Sequence, residues 1–204
     1  EQELMTKDAT IREIHHRVKN NLQTVSALLR LQSRRSSEEA VKVALAEAER
    51  RVQAIATVHA ALSQNVDESV DFDEVARTIV RMAGAIASTD HSVEVITTGS
   101  FGTIQADQAQ ALATVLNELV ANSVEHGLAD RDGRIEVRAV REGTSMTITV
   151  ADDGVGFVPG TPMSGLGTQI VHQMVRGELK GSIEWAPREG GGTLVTLVAN
   201  LDPA

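Results

Sequence analysis

Two long stretches at the start of the chain repeat apolar residues at helical spacing. The first runs from about Gln2 to Arg35 without a Gly or Pro. Its apolar stripe consists of Leu4, Ile11, Val18, Leu22, Val25 and Leu29. Ser36 and Glu39 have the spacing of a capping box, which predicts that a second helix starts there. The second stripe consists of Val41, Leu45, Ala48, Val52, Ile55, His59 and Leu62.

Two long helices joined by a short turn predict an antiparallel hairpin, which we expect over residues 1–65. A single hairpin is too narrow to bury both stripes. We therefore predict that two copies pair as a four-helix bundle, which makes the protein a homodimer.

A polar stretch from Gln64 to Val70 separates the hairpin from a region of mixed helical and strand patterns, residues 70–204. Helices are predicted at Phe72–Ala87, Asp107–His126 and Gly165–Val175. Strands are predicted at His91–Thr98, Arg134–Val140, Ser145–Ala151, Ser182–Trp185 and Thr193–Ala199. Gly127 is expected to end the second of these helices. The predicted fold class is thus a helical hairpin followed by an α/β domain.

Composition narrows the classes of function. The 204 residues carry a formal net charge of -9, which argues against a nucleic acid or an anionic membrane as a direct partner. There is no cysteine, so disulfides and thiolate chemistry are excluded. No apolar run approaches the roughly 20 residues that span a bilayer. We expect a soluble cytoplasmic protein, and a helical pattern already running at Leu4 suggests that the natural chain extends upstream.

Two adjacent histidines lie in the first helix, and helical phase separates them. His15 falls about 40–50° from the centre of the stripe, whereas His16 falls roughly 150° away on the solvent side. The solvent side also carries Glu13, Lys19, Asn20 and Gln23. A lone histidine is most often an ordinary half-buried polar residue. His59, at the centre of the second stripe, is predicted to pack without a chemical role.

Polar and glycine residues cluster in the α/β region. Glu118, Asn122 and His126 are spaced four apart, so they lie on one helix face. The stretch V-A-D-D-G-V-G-F at 150–157 predicts a strand that ends in D-x-G-x-G. Its glycines permit close approach of a ligand, and Asp152 could accept a hydrogen bond from an exocyclic amine such as that of adenine.

A second glycine pair, Gly165 and Gly167, opens a helix. Free backbone N–H groups at a helix N-terminus favour phosphate. Gly190 to Thr193, before the last strand, would alone indicate a hairpin turn.

The sequence resembles two modules of one family. H-R-V-K-N-N-L-Q at 16–23 resembles the phosphoacceptor box of two-component sensor histidine kinases, in the H-R-x-K-N-N-L-Q group related to the HWE kinases. From about Phe72 to Leu201, the chain resembles the N box and three glycine boxes of the GHKL (Bergerat-fold) ATPase domain. Arg17 stands where the more familiar box has an acid, and only seven residues, Val158 to Ser164, are left for an ATP lid.

The resemblance implies an α/β-sandwich that binds ATP and Mg²⁺, autophosphorylates a histidine and passes the phosphoryl group to a response-regulator receiver domain. It makes His16 the phosphoacceptor and Asn122 the Mg²⁺ ligand. Other residues assigned to catalysis on this basis are Glu13, Lys19, Asn20 and Glu118. Residues assigned to the nucleotide are Asn122, His126, Asp152, Gly154, Gly156, Gly165, Leu166, Gly167 and Thr193.

Two other functions compete with this one. A histidine phosphotransferase would keep the hairpin beside a non-catalytic GHKL domain, but the intact Asn122, Asp152 and glycine pairs argue against it. A GHKL kinase that phosphorylates serine on a partner would have no use for H-R-V-K-N-N-L-Q.

Overall fold

The computed structural model describes residues 2–65, 68–85, 91–129, 131–161 and 164–203, with only the backbone given for residues 2–6. Two antiparallel helices come first, α1 (Gln2–Arg35) and α2 (Glu39–Leu62). His15 packs against His59 at one end of the pair, and Ser33 contacts Lys42 near the other. The predicted hairpin and the extent of its first helix are confirmed.

The predicted capping box at Ser36 and Glu39 is wrong. α2 begins after Glu38, whose side chain makes no capping hydrogen bond. The Ser36 hydroxyl instead accepts from the backbone N–H of Glu38, at 3.2 Å. A serine two residues before an N–H closes a local turn, and this turn competes with the cap.

α2 buries a face that the predicted stripe did not include. Ala54 and Val58 are almost fully buried, as is Leu62 from the predicted stripe, because α2 packs against two helices of the α/β region, α3 (Phe72–Gly84) and α4 (Ala106–Asn122). Val41, in the predicted stripe, is exposed. The second helix of the hairpin therefore packs against α1 on one side and against the α/β region on the other.

The α/β region is built on a five-stranded sheet. The strands are β2 (Val93–Gly99), β4 (Gly133–Glu142), β5 (Ser145–Asp152), β6 (Ser182–Pro187) and β7 (Thr193–Asn200). Their order is β2-β4-β5-β7-β6, with β2 and β4 parallel and the other pairs antiparallel. Each predicted strand is present, with ends shifted by a few residues.

Two short strands were not predicted. β1 (Ser69–Asp71) and β3 (Thr103–Gln105) pair antiparallel near the junction with the hairpin. Three residues are too few to display a strand period in the sequence.

Three helices complete the fold, α3 (Phe72–Gly84), α4 (Ala106–Asn122) and α5 (Leu166–Arg176). α4 packs against α2, α3 and α5, and it is buried along most of its length. α3 ends at Gly84, earlier than predicted, and the predicted end at residue 87 lies outside the described residues. The core includes Ile79, Leu112, Leu116, Ile135, Val137, Ile148, Val171 and Leu197.

The predicted helix from Asp107 to His126 is wrong at its end. The α-helix stops at Asn122, and a π-helical segment, Ser123–Leu128, follows. Gly127 lies inside this segment, and its carbonyl accepts the Val155 N–H at 2.8 Å. π-helical turns inside α-helices occur often at functional sites.

Among the helices that the structure describes, none is long and apolar enough to cross a membrane.

Candidate functional site

Asp152 lies on the buried face of the sheet because of strand alternation. Met146, Ile148, Val150 and Asp152 alternate as the buried positions of β5. The Asp152 carboxylate accepts the backbone N–H of Gly154 at 3.0 Å and that of Thr193 at 3.3 Å, both to Oδ1. Burial raises the pKa of Asp152, while the bonds from Gly154, Thr193 and Ser123 oppose that rise. Asp152 is thus a fixed, buried acceptor.

Glycine at position 127 allows the π-helical segment to contact Asp152. A Cβ at Gly127 would lie 2.8 Å from the Asp152 carboxyl carbon. Any side chain there would push the carboxylate from its place. This close approach accounts for a glycine that the sequence indicated only as a helix end.

Glu118 and Asn122 lie one helical turn apart on α4, facing the N-terminus of α5. Glu118 is buried, and a Cβ at Gly167 would lie 2.5 Å from its Oε2. Gly165 is the N-cap of α5 and makes no side-chain bond. Gly167, in the first turn of this helix, therefore lies directly against the carboxylate of Glu118.

These elements enclose one cavity of about 540 Å³, within the range of small-molecule sites. Most of the residues assigned to the nucleotide line it, namely Asn122, His126, Asp152, Gly156, Gly165, Leu166, Gly167 and Thr193, together with Glu118. Gly154 does not line the cavity, since it is buried beneath the loop, where its N–H holds Asp152.

Sequence reasoning missed several lining residues. Arg50 and Arg51 come from α2 of the hairpin, and Trp185 comes from β6, where its ring lies 5.3 Å from that of His172. Two adjacent arginines in an otherwise alanine-rich helix were the available signal for the first two. Nothing in the local pattern could have joined them to residues about 70 positions later.

Arg51 binds Glu118 through both ends of its guanidinium group. Nε donates to Oε1 at 2.7 Å and Nη2 to Oε2 at 3.2 Å. This bond raises the pKa of Arg51 further above its usual range. The pair joins α2 directly to α4.

His16 is exposed on α1, and Asn20, one turn later, contacts its Nδ1 at 3.3 Å. With Nδ1 engaged, Nε2 is the ring nitrogen open to solvent. Glu13 and Arg17 form an ion pair at 2.7 Å beside it, which lowers the pKa of Glu13. Lys19 is partly buried.

His15 is half-buried against His59, with their Nδ1 atoms 3.0 Å apart. Burial lowers the pKa of His59, and the facing His15 lowers it further. The exposures expected for His15 and His16 from helical phase are confirmed.

None of the α1 side chains that the structure describes lines the cavity. His15 lies opposite His59 in the hairpin, eight residues beyond Arg51 on α2. At 1.5 Å per residue, the level of His16 is therefore about 12 Å along the hairpin from the cavity. The two candidate sites are separate in this arrangement.

Two protein families match this chain, and together they indicate its class of protein. A family described as "Histidine kinase-, DNA gyrase B-, and HSP90-like ATPase" matches residues 107–203, and a family described as "Histidine kinase" (HisKA_2) matches residues 13–86. The histidine kinase domain of an Erythrobacter litoralis blue-light activated histidine kinase superposes with a TM-score of 0.61. It covers 98% of this chain and 95% of that chain at 23% identity, which establishes the shared fold.

Sequence relatives make the assignment specific. The sensor histidine kinase PdtaS of Mycobacterium tuberculosis is 46% identical over 199 residues, 95% of this chain and 40% of that protein. Blue-light-activated histidine kinase 2 of Erythrobacter litoralis is 28% identical over 93% of this chain and 56% of that protein. The chain belongs to the histidine kinase family and carries an ATP-binding domain of the GHKL type. It spans 40% of the length of the PdtaS relative.

Proposed function

We propose that this chain is an autokinase that transfers the γ-phosphoryl group of ATP to His16 and then to an aspartate of a response-regulator receiver domain. The observation that carries this proposal is the convergence of Glu118, Asn122, Asp152 and Gly167 on one cavity, in a chain whose His16 is exposed. The working parts are a phosphoacceptor hairpin, residues 1–65, and a catalytic domain, residues 70–204. A cytoplasmic location for both stays a prediction.

In this proposal the Asp152 carboxylate accepts a hydrogen bond from the exocyclic amine of adenine. Its carboxylate is buried and its Oδ1 is held by two backbone N–H groups, so it is oriented before the base arrives. The exocyclic amine of adenine is a donor, and an ionised aspartate only accepts. Thr193 lies beside it, and Trp185 adds an aromatic surface to the wall.

The phosphates would lie between Asn122 and the N-terminus of α5, where free N–H groups favour anions. Among the described residues, no group of three His, Cys, Asp or Glu side chains could hold a metal alone. The amide oxygen of Asn122 fits one position of a Mg²⁺ ion that is otherwise held by phosphates and water. Bound there, Mg²⁺ would offset the charge of the phosphates.

His16 is the nucleophile. A neutral imidazole keeps a lone pair on one ring nitrogen, which can attack an electrophile. That nitrogen attacks the γ-phosphorus, the bond to the β-γ bridging oxygen breaks, and ADP leaves. Asn20 orients the ring, while Glu13 and Lys19 are the charged groups beside the reaction. Two further residues are assigned to this site. They are His126, which lines the cavity, and the buried Glu118.

Transfer requires a change of arrangement. Since the cavity meets the hairpin about 12 Å from the level of His16, the catalytic domain must move along its own hairpin or meet the hairpin of another copy. The contact seen between α2 and α4 is therefore a state before or after transfer.

A homodimer through the hairpin is part of the proposal. Among the described residues of the hairpin, several large apolar side chains stay exposed: Ile14, Val25, Leu28, Leu31, Val41 and Val43. Ile14, Val25 and Leu28 fall within about 60° on α1. That face points roughly 150° away from His16, so pairing would leave His16 accessible.

Leu28→Glu is expected to weaken self-association by at least tenfold, because it places a charge where two copies would bury Leu28. The side chain is 56% exposed in the single chain, so its folding should change little. Sedimentation equilibrium measures the dissociation constant, and Gln23→Glu, on the opposite side of α1, is the matched control. Equal association of Leu28→Glu and the unchanged protein would contradict a dimer through this face.

The direct test of the proposed function is incubation with γ-labelled ATP and Mg²⁺. A label that is lost in acid and kept in base identifies phosphohistidine. Purified receivers are then added, and a cognate receiver should remove the label within minutes, faster than hydrolysis does. Absence of any label from ATP would favour a phosphotransferase, although neither the family matches nor the relatives support that alternative.

A further inference from the structure

The positive charge of the cavity comes from the hairpin. Of the residues that line the cavity in the described structure, the only Lys or Arg residues are Arg50 and Arg51 of α2. The α/β region contributes the carboxylates of Glu118, Glu125 and Asp152 to the same lining. A nucleoside triphosphate carries several negative charges, so the α/β wall alone offers it little electrostatic attraction.

The two arginines differ in how far their hydrogen bonds are satisfied. Arg51 is paired with Glu118 through two bonds, and Glu47 lies 3.6 Å away. Its charge is balanced within the protein. Arg51 therefore acts mainly as a link between α2 and α4.

Arg50 is buried and incompletely bonded. Its side chain is only 9% exposed, and its ion pair with Glu125 is a long contact of 3.4 Å from Nη1. Its Nε is buried and has no hydrogen-bond partner among the described residues. A buried, charged donor without a partner costs free energy, so the guanidinium group of Arg50 is not fully satisfied by the described residues.

The location of Arg50 indicates which part of a nucleotide it would meet. Glu125 follows Asn122 by three residues, so Arg50 lies at the end of the cavity formed by α4 and its π-helical extension. In the proposed orientation, Asn122 faces the phosphates.

We propose that Arg50 binds the phosphate chain of the nucleotide, so that the hairpin completes the ATP site of the catalytic domain. This inference rests on the proposed binding of ATP in the cavity. The planar guanidinium group of arginine matches phosphate oxygens, and such charge-assisted bonds are the stronger ones. Because both parts of the chain then contact the nucleotide, ATP strengthens the docking of the hairpin and docking strengthens the binding of ATP.

The test compares ATP and AMP, measured by calorimetric titration of the full chain without turnover, using a non-hydrolysable ATP analogue. Arg50→Gln is expected to weaken binding of the ATP analogue by about tenfold or more, the size of a lost charge-assisted bond. AMP affinity should change less than twofold, since AMP lacks the outer phosphates. Arg34→Gln, an exposed position at the end of α1, removes the same charge from the hairpin and should change neither affinity.

Arg50→Lys keeps a positive charge at the buried position and should give an intermediate affinity for the ATP analogue. If a thermal melt shows that Arg50→Gln is unfolded, the affinity of Arg50→Lys for the ATP analogue tests the proposal in its place. Equal weakening of ATP and AMP would indicate a structural role, and unchanged affinity for the ATP analogue in Arg50→Lys and Arg50→Gln would equally overturn the inference. If the unchanged protein binds no ATP, the proposed function itself fails, an outcome distinct from both.

Discussion

His16→Gln is expected to abolish labelling of the chain by γ-labelled ATP, a loss of at least a thousandfold, while His15→Gln keeps most of it. Glutamine retains polarity but offers no nucleophilic nitrogen, and substitution at an exposed position costs little stability. Filter-bound radioactivity after a fixed time measures both variants against the unchanged protein.

The contrast depends on what each histidine contacts. His15 lies with its Nδ1 3.0 Å from that of His59, inside the hairpin. His16 contacts only its neighbour Asn20 among the hydrogen bonds described for it, and it faces solvent. His15→Gln should therefore lower the melting temperature by a few degrees without removing the acceptor. Label that survives in His16→Gln and disappears in His15→Gln would reverse the assignment.

The hairpin was predictable because helical periodicity is a local property. Thirty-four residues without Gly or Pro predicted α1 correctly, and the same periodicity predicted the exposures of His15 and His16. The predicted cap at Ser36 was wrong because the Ser36 hydroxyl accepts a hydrogen bond within a local turn and does not cap the helix. Boundaries of this kind are decided by small energy differences.

The burial of α2 was less predictable because it depends on tertiary contacts. Ala54 and Val58 are small residues whose burial follows from the approach of α4, which begins about 50 positions later in the chain. Likewise, the pairing of Arg51 with Glu118 joins residues 67 positions apart. A single sequence carries no record of such pairs.

The nucleotide residues were assigned by resemblance to glycine and polar boxes, and the structure brings nearly all of them to one cavity. There is a chemical reason why these residues could be predicted from the sequence. A buried acceptor such as Asp152 needs adjacent N–H donors, and the donors at Gly154 and Thr193 depend on glycine-rich turns that are visible in the sequence. The π-helical segment after α4 was not visible in the sequence, because the contacts of Gly127 are with Asp152 and Val155, which lie far along the chain.

Asp152→Asn is expected to weaken ADP binding by about 10- to 100-fold, the range for losing one hydrogen bond to a charged group. Asparagine has nearly the same shape, and its oxygen can still accept the N–H groups of Gly154 and Thr193. Its amide N–H₂ then faces the amine of adenine, and two donors oppose each other. The loss should be the same with and without Mg²⁺, because the base and not the phosphates is affected.

Asn122→Ala is the matched comparison, since the two variants should fail by different routes. Asn122→Ala should weaken ADP binding when Mg²⁺ is present and hardly change it in EDTA, because Asn122 is proposed to act through the metal. Calorimetric titration of both variants under both conditions gives four affinities to compare with the unchanged protein. Wild-type affinity in Asp152→Asn would remove Asp152 from the adenine site. An Asn122→Ala defect of equal size in EDTA would remove the metal from the role of Asn122 and leave a direct contact with the nucleotide in its place.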